Sequence, residues 1–556
     1  MYILPMPQKI NTKDGVFTIK YNSKIILSKK CGTQEMHYAR ILKEEIKRYL
    51  GFDLQISKGP EEKGHIYLDI NSGHYESYTL NIDHTIKIIG GDTNGLLYGV
   101  QSLRQIISQY KSILPLCSIE DEPMIKHRGF YHDATRGRIP TLKSLKSLAD
   151  RASYYKINEL QLYIEHSFIF KEFSEVWRDD TPLTPEEILE YDEYCKKLNI
   201  ELIPSISTFG HLHKLLTTKQ YKEYNELAVT GNEEFSFIDR MAHHTIDVSN
   251  DESINIVRKM IEEYIPLFTS KKINICADET FDLGKGKNKE IAHKVGTDKL
   301  YVDFLNKIFN IIKENNKLPM FWGDIISKTP ERIKGLPKDI ICLTWGYGPE
   351  ESDESAEKIY KTGTPQYLCP GVHGWAEFLN INIYGYNNIT RMCEYALKYN
   401  AIGVLNTDWG DYGHMAFAEA STIGMIYGAN FSWNNTKISF EEINEMISLI
   451  AYEDRSRSIA GIVSNISVNQ GFAWRIMVRY IEALHREDRE TAKRLLSEFS
   501  DTKVNNEKIL ADVKDLYSIL KDMEESKRYI IYDYLVMAKG IMIFNRVGNV
   551  LAKYAE

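Results

Sequence analysis

Between Lys126 and about residue 430, short apolar segments with strand character alternate with longer segments of helical periodicity. The strand candidates are Arg128–His132, Glu159–Ile164, Glu201–Ile206, Ile273–Ala277, Leu318–Trp322, Ile340–Thr344, Pro365–Leu368 and Ile402–Asn406. Strands that alternate with helices predict a parallel sheet, because parallel neighbours need a crossover between them. Eight strand–helix units close naturally on themselves. The sequence therefore predicts an α/β fold with a (β/α)8 TIM barrel in residues 126–432.

Two further regions flank the predicted barrel. Residues 1–122 mix strand and helix patterns, and we interpret them as an N-terminal α+β support domain. Its helical patterns are marked by Gly51, a typical C-cap, and by Asp92, a typical N-cap. Residues 433–556 carry helical periodicity without strand signals. They predict a C-terminal helical domain that packs on the barrel or on another subunit, which leaves a homodimer open.

Composition narrows the classes of partner. A net charge of −8 argues against nucleic acid or an anionic membrane surface. We find no apolar run of the roughly 18–20 residues that a membrane span needs, and residues 1–7 lack the features of a signal peptide, so we expect a cytoplasmic protein without a membrane partner. The 7 scattered cysteines favour reduced thiols. Without a zinc-binding or phosphate-binding motif, the sequence predicts no metal and no other cofactor.

The strand candidate Ile273–Ala277 leads directly into Asp278 and Glu279. Such pairs are also common in solvated turns. A strand buried on both faces cannot hold a charge, however, so this pair is expected where the strand leaves the core. In a parallel barrel that exit is the mouth at which active sites form. Two carboxylates with different roles are the usual equipment for cleaving a glycosidic bond, so we predict that Asp278 and Glu279 are catalytic.

Other polar and aromatic residues also follow the predicted strands. They are Arg136, Glu165, His166, His211, Trp322, Asp324, Trp345, Tyr367, Trp409 and Asp411. Because the C-terminal ends of parallel strands meet at one face, we expect these side chains to converge on one substrate-binding site. The tryptophans at or after strand exits are Trp322, Trp345, Trp375 and Trp409. A barrel interior prefers branched aliphatic residues, so these tryptophans indicate a surface for sugar rings.

The chain also resembles the β-N-acetylhexosaminidases of glycoside hydrolase family 20 over most of residues 1–430. Residues 76–105 resemble the end of that family's N-terminal domain, and His127-Arg128-Gly129-Phe130 and Asp133-Ala134-Thr135-Arg136 resemble the opening of its barrel. Asp278-Glu279 matches its catalytic pair, and Trp409-Gly410-Asp411 matches its last-strand motif. The resemblance implies release of a terminal β-linked N-acetylhexosamine from a carbohydrate substrate, with N-acetylglucosamine and N-acetylgalactosamine both open.

In that family the nucleophile is the substrate's own 2-acetamido oxygen, and the anomeric configuration is retained. The resemblance therefore implies that Glu279 is the general acid and later the base toward water. A desolvated site and an anionic neighbour would keep Glu279 protonated. Asp278 would accept a hydrogen bond from the acetamido N–H and offset the positive charge that develops on the ring.

The same resemblance implies roles in substrate binding. Arg136 would make bidentate contacts to sugar hydroxyls, Tyr367 would donate a hydrogen bond to the acetamido oxygen, and Asp411 would bond the outer hydroxyls. Three tryptophans would surround the acetamido methyl and the sugar face: Trp322, Trp345 and Trp409.

Several positions depart from the family pattern. Asn274-Ile275-Cys276-Ala277 stands where the family commonly has His-x-Gly-Gly before the Asp-Glu pair. Glu165-His166 replaces an acidic pair, Ser207 replaces an acidic residue, and Cys369 replaces an aspartate that helps to read the outer hydroxyls. We infer a divergent subgroup in which another side chain rebuilds the pocket wall, the candidates being His373, Trp375 and Glu377.

Three other interpretations remain open at this point. The barrel could act on a specialised substrate, such as an N-acetylgalactosaminide, a disaccharide unit or a modified sugar. It could bind sugar without catalysis, although binding alone does not need a proton donor. A metal-dependent hydrolase would draw on His211, His213, His243 and His244, whose spacing matches no ligand set at strand ends.

Overall fold

The computed structural model describes residues 1–230, 236–241, 244–500 and 506–555. The N-terminal domain is a mixed seven-stranded sheet in the order β1-β7-β5-β6-β4-β2-β3, covered by two helices. Its strands are β1 (Lys9–Thr18), β2 (Lys24–Leu27), β3 (Gln55–Lys58), β4 (Ile66–Ile70), β5 (Tyr78–Ile82), β6 (Ile86–Gly90) and β7 (Ile113–Asp121). Its helices are α1 (Thr33–Leu50) and α2 (Thr93–Tyr110).

Both predicted caps of this domain are present. Gly51 adopts the left-handed conformation at the end of α1, with φ of 71°. The Asp92 side chain accepts from the backbone N–H of Gly95 at the start of α2. Strands β3 and β7 were not predicted, and β7 lies between the edge strand β1 and strand β5.

Eight parallel strands close into a barrel, as predicted, in the order β10-β11-β12-β13-β14-β15-β8-β9. They are β8 (His127–Asp133), β9 (Glu159–Ile164), β10 (Glu201–Ile206), β11 (Lys272–Asn274), β12 (Leu318–Trp322), β13 (Ile341–Trp345), β14 (Gln366–Cys369) and β15 (Gly403–Asp408). Every neighbouring pair in the closed ring is parallel, which places all eight C-terminal ends at one mouth.

Helices surround the barrel. They are α3 (Leu142–Tyr154), α4 (Ser174–Trp177), α5 (Pro185–Lys197), α6 (His213–Leu216), α7 (Phe237–Met241), α8 (Asp251–Tyr264), α9 (Lys289–Val295), α10 (Thr297–Glu314), α11 (Glu354–Thr362), α12 (Asn382–Lys398) and α13 (Ser421–Trp433). Helix α5 begins with a capping box, in which Thr184 and Glu187 bond each other's backbone N–H and Pro185 takes the first helical position.

Two buried ion pairs join the N-terminal domain to the barrel. Arg128 Nη2 on β8 lies 2.6 Å from Glu76 Oε2, and both side chains are 1% exposed. Lys156 Nζ lies 3.0 Å from Asp121 Oδ2 at the end of β7. Because an unpaired buried charge is strongly unfavourable, these pairs hold the support domain in one position on the barrel.

The C-terminal region is helical, as predicted. Its helices are α14 (Phe440–Ala451), α15 (Ile459–Ser467), α16 (Trp474–His485), α17 (Arg489–Ser500), α18 (Asn506–Ser518) and α19 (Tyr529–Ala555). Of the described residues, Glu525–Lys553 form one helical stretch that is long and apolar enough to cross a membrane, with a mean hydropathy of 1.3 and 33% of its most apolar window buried. Core helices of soluble proteins pass the same criterion, so the absence of a membrane partner stays a prediction.

Candidate active site

A cavity of about 200 Å³, here called the central cavity, opens at the C-terminal mouth of the barrel. Its lining residues are Arg136, His211, Asp278, Glu279, Trp345, Tyr347, Trp375, Trp409 and Asp411. Eight of these nine were predicted from the sequence; Tyr347 was not. The convergence follows from the parallel order of the strands, since most of these residues lie at or just beyond a strand's C-terminal end.

The Asp278–Glu279 pair lies on a strained turn. Cys276, Ala277 and Glu279 all have positive φ, at 58°, 67° and 49°. Strand β11 therefore ends at Asn274, before the predicted end at Ala277. The turn is held from both sides, because the backbone N–H of Trp322 donates to the Cys276 carbonyl at 2.9 Å and the Tyr301 hydroxyl donates to the Ala277 carbonyl at 2.9 Å. Such strain costs about 1–3 kcal/mol per residue and clusters at functional sites.

Asp324 is a third carboxylate behind the pair. Its Oδ2 accepts from the backbone N–H of Glu279 at 3.2 Å. Burial, together with the nearby charge of Asp278, raises the pKa of Asp324 to about 7. The sequence placed Asp324 at the end of a strand but gave no sign that its carboxyl would contact the turn of the catalytic pair.

His211 bridges the two predicted catalytic carboxylates. Its Nε2 lies 3.3 Å from Asp278 Oδ2 and 3.4 Å from Glu279 Oε2. Burial disfavours a charged imidazole, but Asp278 and Glu279 together raise the pKa of His211 to about 10. The ring is therefore a cation at neutral pH, and it holds both carboxylates on one side of the cavity.

Arg136 is held rigidly at the opposite edge. Its Nε lies 2.6 Å from Asp133 Oδ2, and its Nη1 lies 2.5 Å from Asp411 Oδ1. The guanidinium carbon lies 5.0 and 4.9 Å from the ring centroids of Tyr163 and Trp409, two rings that also contact each other edge to face. The two ion pairs and the contacts with both rings hold the guanidinium in place, and bidentate recognition of a hydroxyl pair requires such a fixed group.

Aromatic side chains form the remaining wall. Trp345 stacks on Tyr347, with ring centroids 5.2 Å apart and an interplanar angle of 15°. Trp375 packs on the other side of Tyr347 at 5.1 Å, and Trp409 Nε1 donates to the Tyr347 hydroxyl at 2.7 Å. Tyr347 is thus the phenol in the cavity. It follows Trp345 by two residues, so the alternation of side chains along an extended chain could have indicated it.

The placement predicted for Tyr367 is wrong. This side chain is completely buried inside the barrel, where its hydroxyl donates to Glu159 Oε1 at 3.1 Å and accepts from Lys272 Nζ at 3.4 Å. Its ring stacks on His127 at 5.6 Å, near the start of β8. Tyr367 is only the second residue of β14, so its side chain lies toward the N-terminal end of the barrel and not at the mouth.

Two other predicted binding residues lie behind the cavity wall. The Glu165 carboxylate accepts from the Tyr163 hydroxyl at 2.8 Å and pairs with Arg240 Nη2 at 3.2 Å. Burial opposes its charge, but Arg240 lowers the pKa of Glu165 well below its usual value. Trp322 is fully buried, with its ring 5.7 Å from that of Trp409. Both residues support lining side chains and do not line the cavity themselves.

Of the three residues proposed to rebuild the pocket wall, one lines the central cavity and two do not. Trp375 lines the central cavity, and His373 packs on it at 4.9 Å. Glu377 is buried beside Arg475 of α16, with a 3.7 Å ion pair, and burial raises the pKa of Glu377 to about 7. Cys369, which stands where the family has an aspartate, is fully buried and supplies no carboxylate to the cavity.

Two groups among the described residues have ligand atoms close enough to hold a metal, namely His211 with Asp278 and Glu279, and His132 with Asp408 and His414. In the first group the two carboxylates raise the pKa of His211 to about 10, so a metal ion would have to displace the proton of this imidazole. In the second, both Asp408 oxygens already accept hydrogen bonds, from His132 and Ser421. His243, named for the metal alternative, lies outside the described residues.

A closed parallel barrel with paired carboxylates against an aromatic wall defines a class of protein that handles carbohydrate at the mouth of a TIM barrel. Comparison with known families is more specific. Residues 1–122 match the model of glycosyl hydrolase family 20, domain 2, and residues 125–402 match the model of the family's catalytic domain. The chain belongs to glycosyl hydrolase family 20, as the resemblance implied.

Two curated relatives are distant in sequence and longer than this chain. The chain is 25% identical to a lacto-N-biosidase of Bifidobacterium bifidum over 61% of this chain and 30% of that protein. It is 24% identical to a beta-hexosaminidase of Porphyromonas gingivalis over 62% of this chain and 47% of that protein. The chain thus spans less than half the length of either relative.

Solved structures share the fold. A chitobiase of Flavobacterium johnsoniae superposes with a TM-score of 0.68 at 17% identity, over 99% of this chain and 93% of that one. A beta-N-acetylhexosaminidase of Bacteroides fragilis superposes with a TM-score of 0.65 at 18% identity, over 82% of this chain and 96% of that one. The C-terminal helices are therefore included in the likeness to the first structure.

Proposed function

We propose that this protein is an exo-acting glycoside hydrolase that releases a terminal β-linked N-acetylhexosamine, N-acetylglucosamine or N-acetylgalactosamine, with retention of configuration. The observation that carries the proposal is the position of the two carboxylates. Asp278 and Glu279 both contact Nε2 of His211, and their contacting oxygens lie within 4.8 Å of each other. A protein nucleophile would instead face the acid across the scissile bond, at about 5–5.5 Å. The arrangement therefore favours the substrate's 2-acetamido oxygen as the nucleophile.

In this mechanism Glu279 protonates the leaving oxygen and then activates the water that opens the cyclic intermediate. Its side chain is 26% exposed, against 11% for Asp278, so Glu279 is the one that reaches toward the leaving group. Asp278 accepts from the acetamido N–H and stabilises the positive charge that forms on the ring and the amide. Pre-placed charges of this kind contribute a few kcal/mol to catalysis.

The aromatic wall positions the acetamido group. Tyr347, which packs against both Trp345 and Trp375, donates a hydrogen bond from its hydroxyl to the acetamido oxygen. This bond aligns the acetamido oxygen with the anomeric carbon. This is the role that the family resemblance implied for Tyr367. The rings of Trp345 and Trp409 enclose the acetamido methyl and one sugar face, and Arg136 with Asp411 binds the hydroxyls at the far edge.

A panel of aryl β-glycosides tests the proposal. Each sugar is supplied with either a 2-acetamido or a 2-hydroxyl group, in gluco and in galacto configuration. We expect release only from the 2-acetamido sugars, because a 2-hydroxyl group cannot form the cyclic intermediate. Equal turnover of 2-hydroxyl sugars would exclude the acetamido nucleophile, and the gluco-to-galacto ratio gives the epimer preference.

A specialised substrate is the alternative. A second cavity at the barrel mouth is lined by Thr135 and Gly137, the sequence neighbours of Arg136, and offers space beyond that of the central cavity. A cytoplasmic location and a homodimer also remain proposals, to be tested by cell fractionation and by light scattering of the purified protein.

A further inference from the structure

Two loops at the barrel mouth carry cavity-lining residues on a strained backbone. After β14, Trp375 lies between His373 and Ala376, whose φ angles are 55° and 61°. After β15, Asp411 is followed by Tyr412, whose φ is 58°. Trp375 and Asp411 both line the central cavity. Positive φ at a non-glycine residue persists only where the surrounding structure holds it, so the groups that hold these loops also set the two lining side chains.

The loop after β15 is held by the C-terminal domain. Trp474, the first residue of α16, donates a 2.6 Å hydrogen bond from its indole Nε1 to the carbonyl oxygen of Tyr412. That carbonyl lies one residue beyond Asp411, whose Oδ1 is 2.5 Å from Nη1 of Arg136. The indole N–H therefore fixes a peptide group close to the carboxylate that, with Arg136, forms the far edge of the cavity.

The same indole packs against the loop after β14. Its ring lies 6.4 Å from that of Phe378, edge to face, and 5.8 Å from that of Phe544 on α19. The rings of Phe378 and Phe544 are 4.6 Å apart. Phe378 is three residues beyond Trp375, so Trp474 contacts both loops that carry lining side chains.

Gln470, which lies between α15 and α16, adds a separate clamp on the loop after β14. Its Oε1 accepts from the backbone N–H groups of Phe378 and Leu379, at 2.9 and 3.1 Å, and its Nε2 donates to the Leu379 carbonyl at 2.6 Å. Because this loop has a clamp of its own, loss of the Trp474 N–H should release the Asp411 side of the mouth and leave the Trp375 side in place.

We propose that Trp474 is a positioning residue for the sugar. Its hydrogen bond to the Tyr412 carbonyl sets Asp411 against Arg136, and this setting determines how tightly the outer hydroxyls of the sugar are bound. The inference rests on the proposed function and adds to it a specificity determinant that lies in the C-terminal domain, outside the barrel.

Two variants separate the hydrogen bond from the packing of the ring. Trp474→Phe keeps an aromatic ring against Phe378 and Phe544 but lacks the N–H group. In Trp474→His, the imidazole Nε2 takes the place of the indole Nε1 in the five-membered ring and retains a donor, whereas the six-membered ring is lost.

The variants are compared on an aryl 2-acetamido-β-hexosaminide. We expect Trp474→Phe to raise KM by about 3- to 10-fold, the effect of one hydrogen bond, with kcat nearly unchanged because the two catalytic carboxylates stay in place. The KM of Trp474→His should lie between those of Trp474→Phe and the wild type. A role in packing alone predicts the opposite order, since Trp474→His loses more of the ring.

A double-variant comparison shows whether Trp474 acts through Asp411. In an Asp411→Ala background, Trp474→Phe should raise KM no further, because the two residues act in series. Substrate analogues that lack one ring hydroxyl at a time supply the same comparison without a second substitution. The difference between Trp474→Phe and the wild type should vanish for the analogue that lacks the hydroxyl bound by Asp411.

Trp177→Phe is the matched control. The Trp177 Nε1 also donates to a backbone carbonyl, that of Phe170 at 2.7 Å, but Trp177 does not line the central cavity. This variant should keep the wild-type KM.

Three results would exclude the positioning role while the proposed function stands: a wild-type KM for Trp474→Phe, a higher KM for Trp474→His than for Trp474→Phe, or an undiminished effect of Trp474→Phe in the Asp411→Ala background. If the wild type hydrolyses no 2-acetamido sugar, the proposed function itself fails.

Discussion

The backbone N–H of Glu279 donates a 3.2 Å hydrogen bond to Oδ2 of Asp324. This bond ties the turn of the predicted general acid to the end of the neighbouring strand β12. It also brings a third carboxyl close to Asp278, with the result that the pKa of Asp324 rises to about 7. Near neutral pH the site thus contains a carboxyl that is partly protonated.

Asp324→Asn should change the pH dependence of stability. A carboxyl whose pKa is raised in the folded state binds its proton more tightly there than in the unfolded chain, so its contribution is present below pH 3.8 and is lost as the pH rises toward about 7. The wild type should lose stability relative to Asp324→Asn across that interval. Denaturant unfolding at several pH values measures this; parallel curves for the two proteins would show that Asp324 does not titrate there.

Glu279→Gln should separate two kinds of substrate. Without a proton donor, turnover of substrates with poor leaving groups should fall by about 10²–10⁴-fold, while activated aryl glycosides retain more activity. Asp278→Asn should impair both kinds. Steady-state kinetics of both variants on a substrate with a good leaving group and on one with a poor leaving group measures these effects. Wild-type rates for Glu279→Gln on both substrates would show that another residue is the general acid.

Tyr347→Phe and Tyr367→Phe are a matched pair. Loss of the Tyr347 hydroxyl should lower kcat by about 10–100-fold, because the acetamido oxygen loses its positioning hydrogen bond. Loss of the buried Tyr367 hydroxyl, which contacts Glu159 and Lys272, should lower the free energy of unfolding by about 1–3 kcal/mol and leave kcat/KM nearly unchanged. The reverse pattern would mean that Tyr367, and not Tyr347, contacts the substrate.

Ala277→Gly should stabilise the protein. Ala277 has φ of 67°, and a non-glycine residue in this left-handed region costs about 1–2 kcal/mol. Glycine removes that strain but adds its own entropy cost of about 0.5–1 kcal/mol, so the net gain in stability is up to about 1.5 kcal/mol. In the helical control Ala149→Gly, the same exchange should destabilise. A fall in thermal stability for Ala277→Gly would mean that the alanine methyl contributes more packing than the strain costs.

Glu482→Ala tests whether the C-terminal helices support the site. Glu482 on α16 accepts from the backbone N–H groups of Phe237 and Ile238, at 2.8 and 3.4 Å, and so holds the short helix that carries Arg240. Its loss should free Arg240 from Glu165 and raise KM more than it lowers kcat. The exposed Glu490 on α17 supplies the control, Glu490→Ala, which should match the wild type. Unchanged kinetics for Glu482→Ala would confine α16 to a structural role.

The sequence by itself determined the architecture. Strand β9 and strand β10 have the predicted bounds, and the caps at Gly51 and Asp92 are formed as predicted, because apolar periodicity and capping are local properties of the chain. It also placed Asp278 and Glu279 at the mouth, because burying a charged pair inside the barrel would be strongly unfavourable.

Only the tertiary structure decided which side chains line the cavity. Whether Tyr347 or Tyr367 reaches the mouth depends on the height at which β13 and β14 pair within the barrel, and this register is set by long-range contacts. The raised pKa values of His211 and Asp324 likewise arise from residues distant in sequence, because burial and neighbouring charge exist only once the barrel has closed.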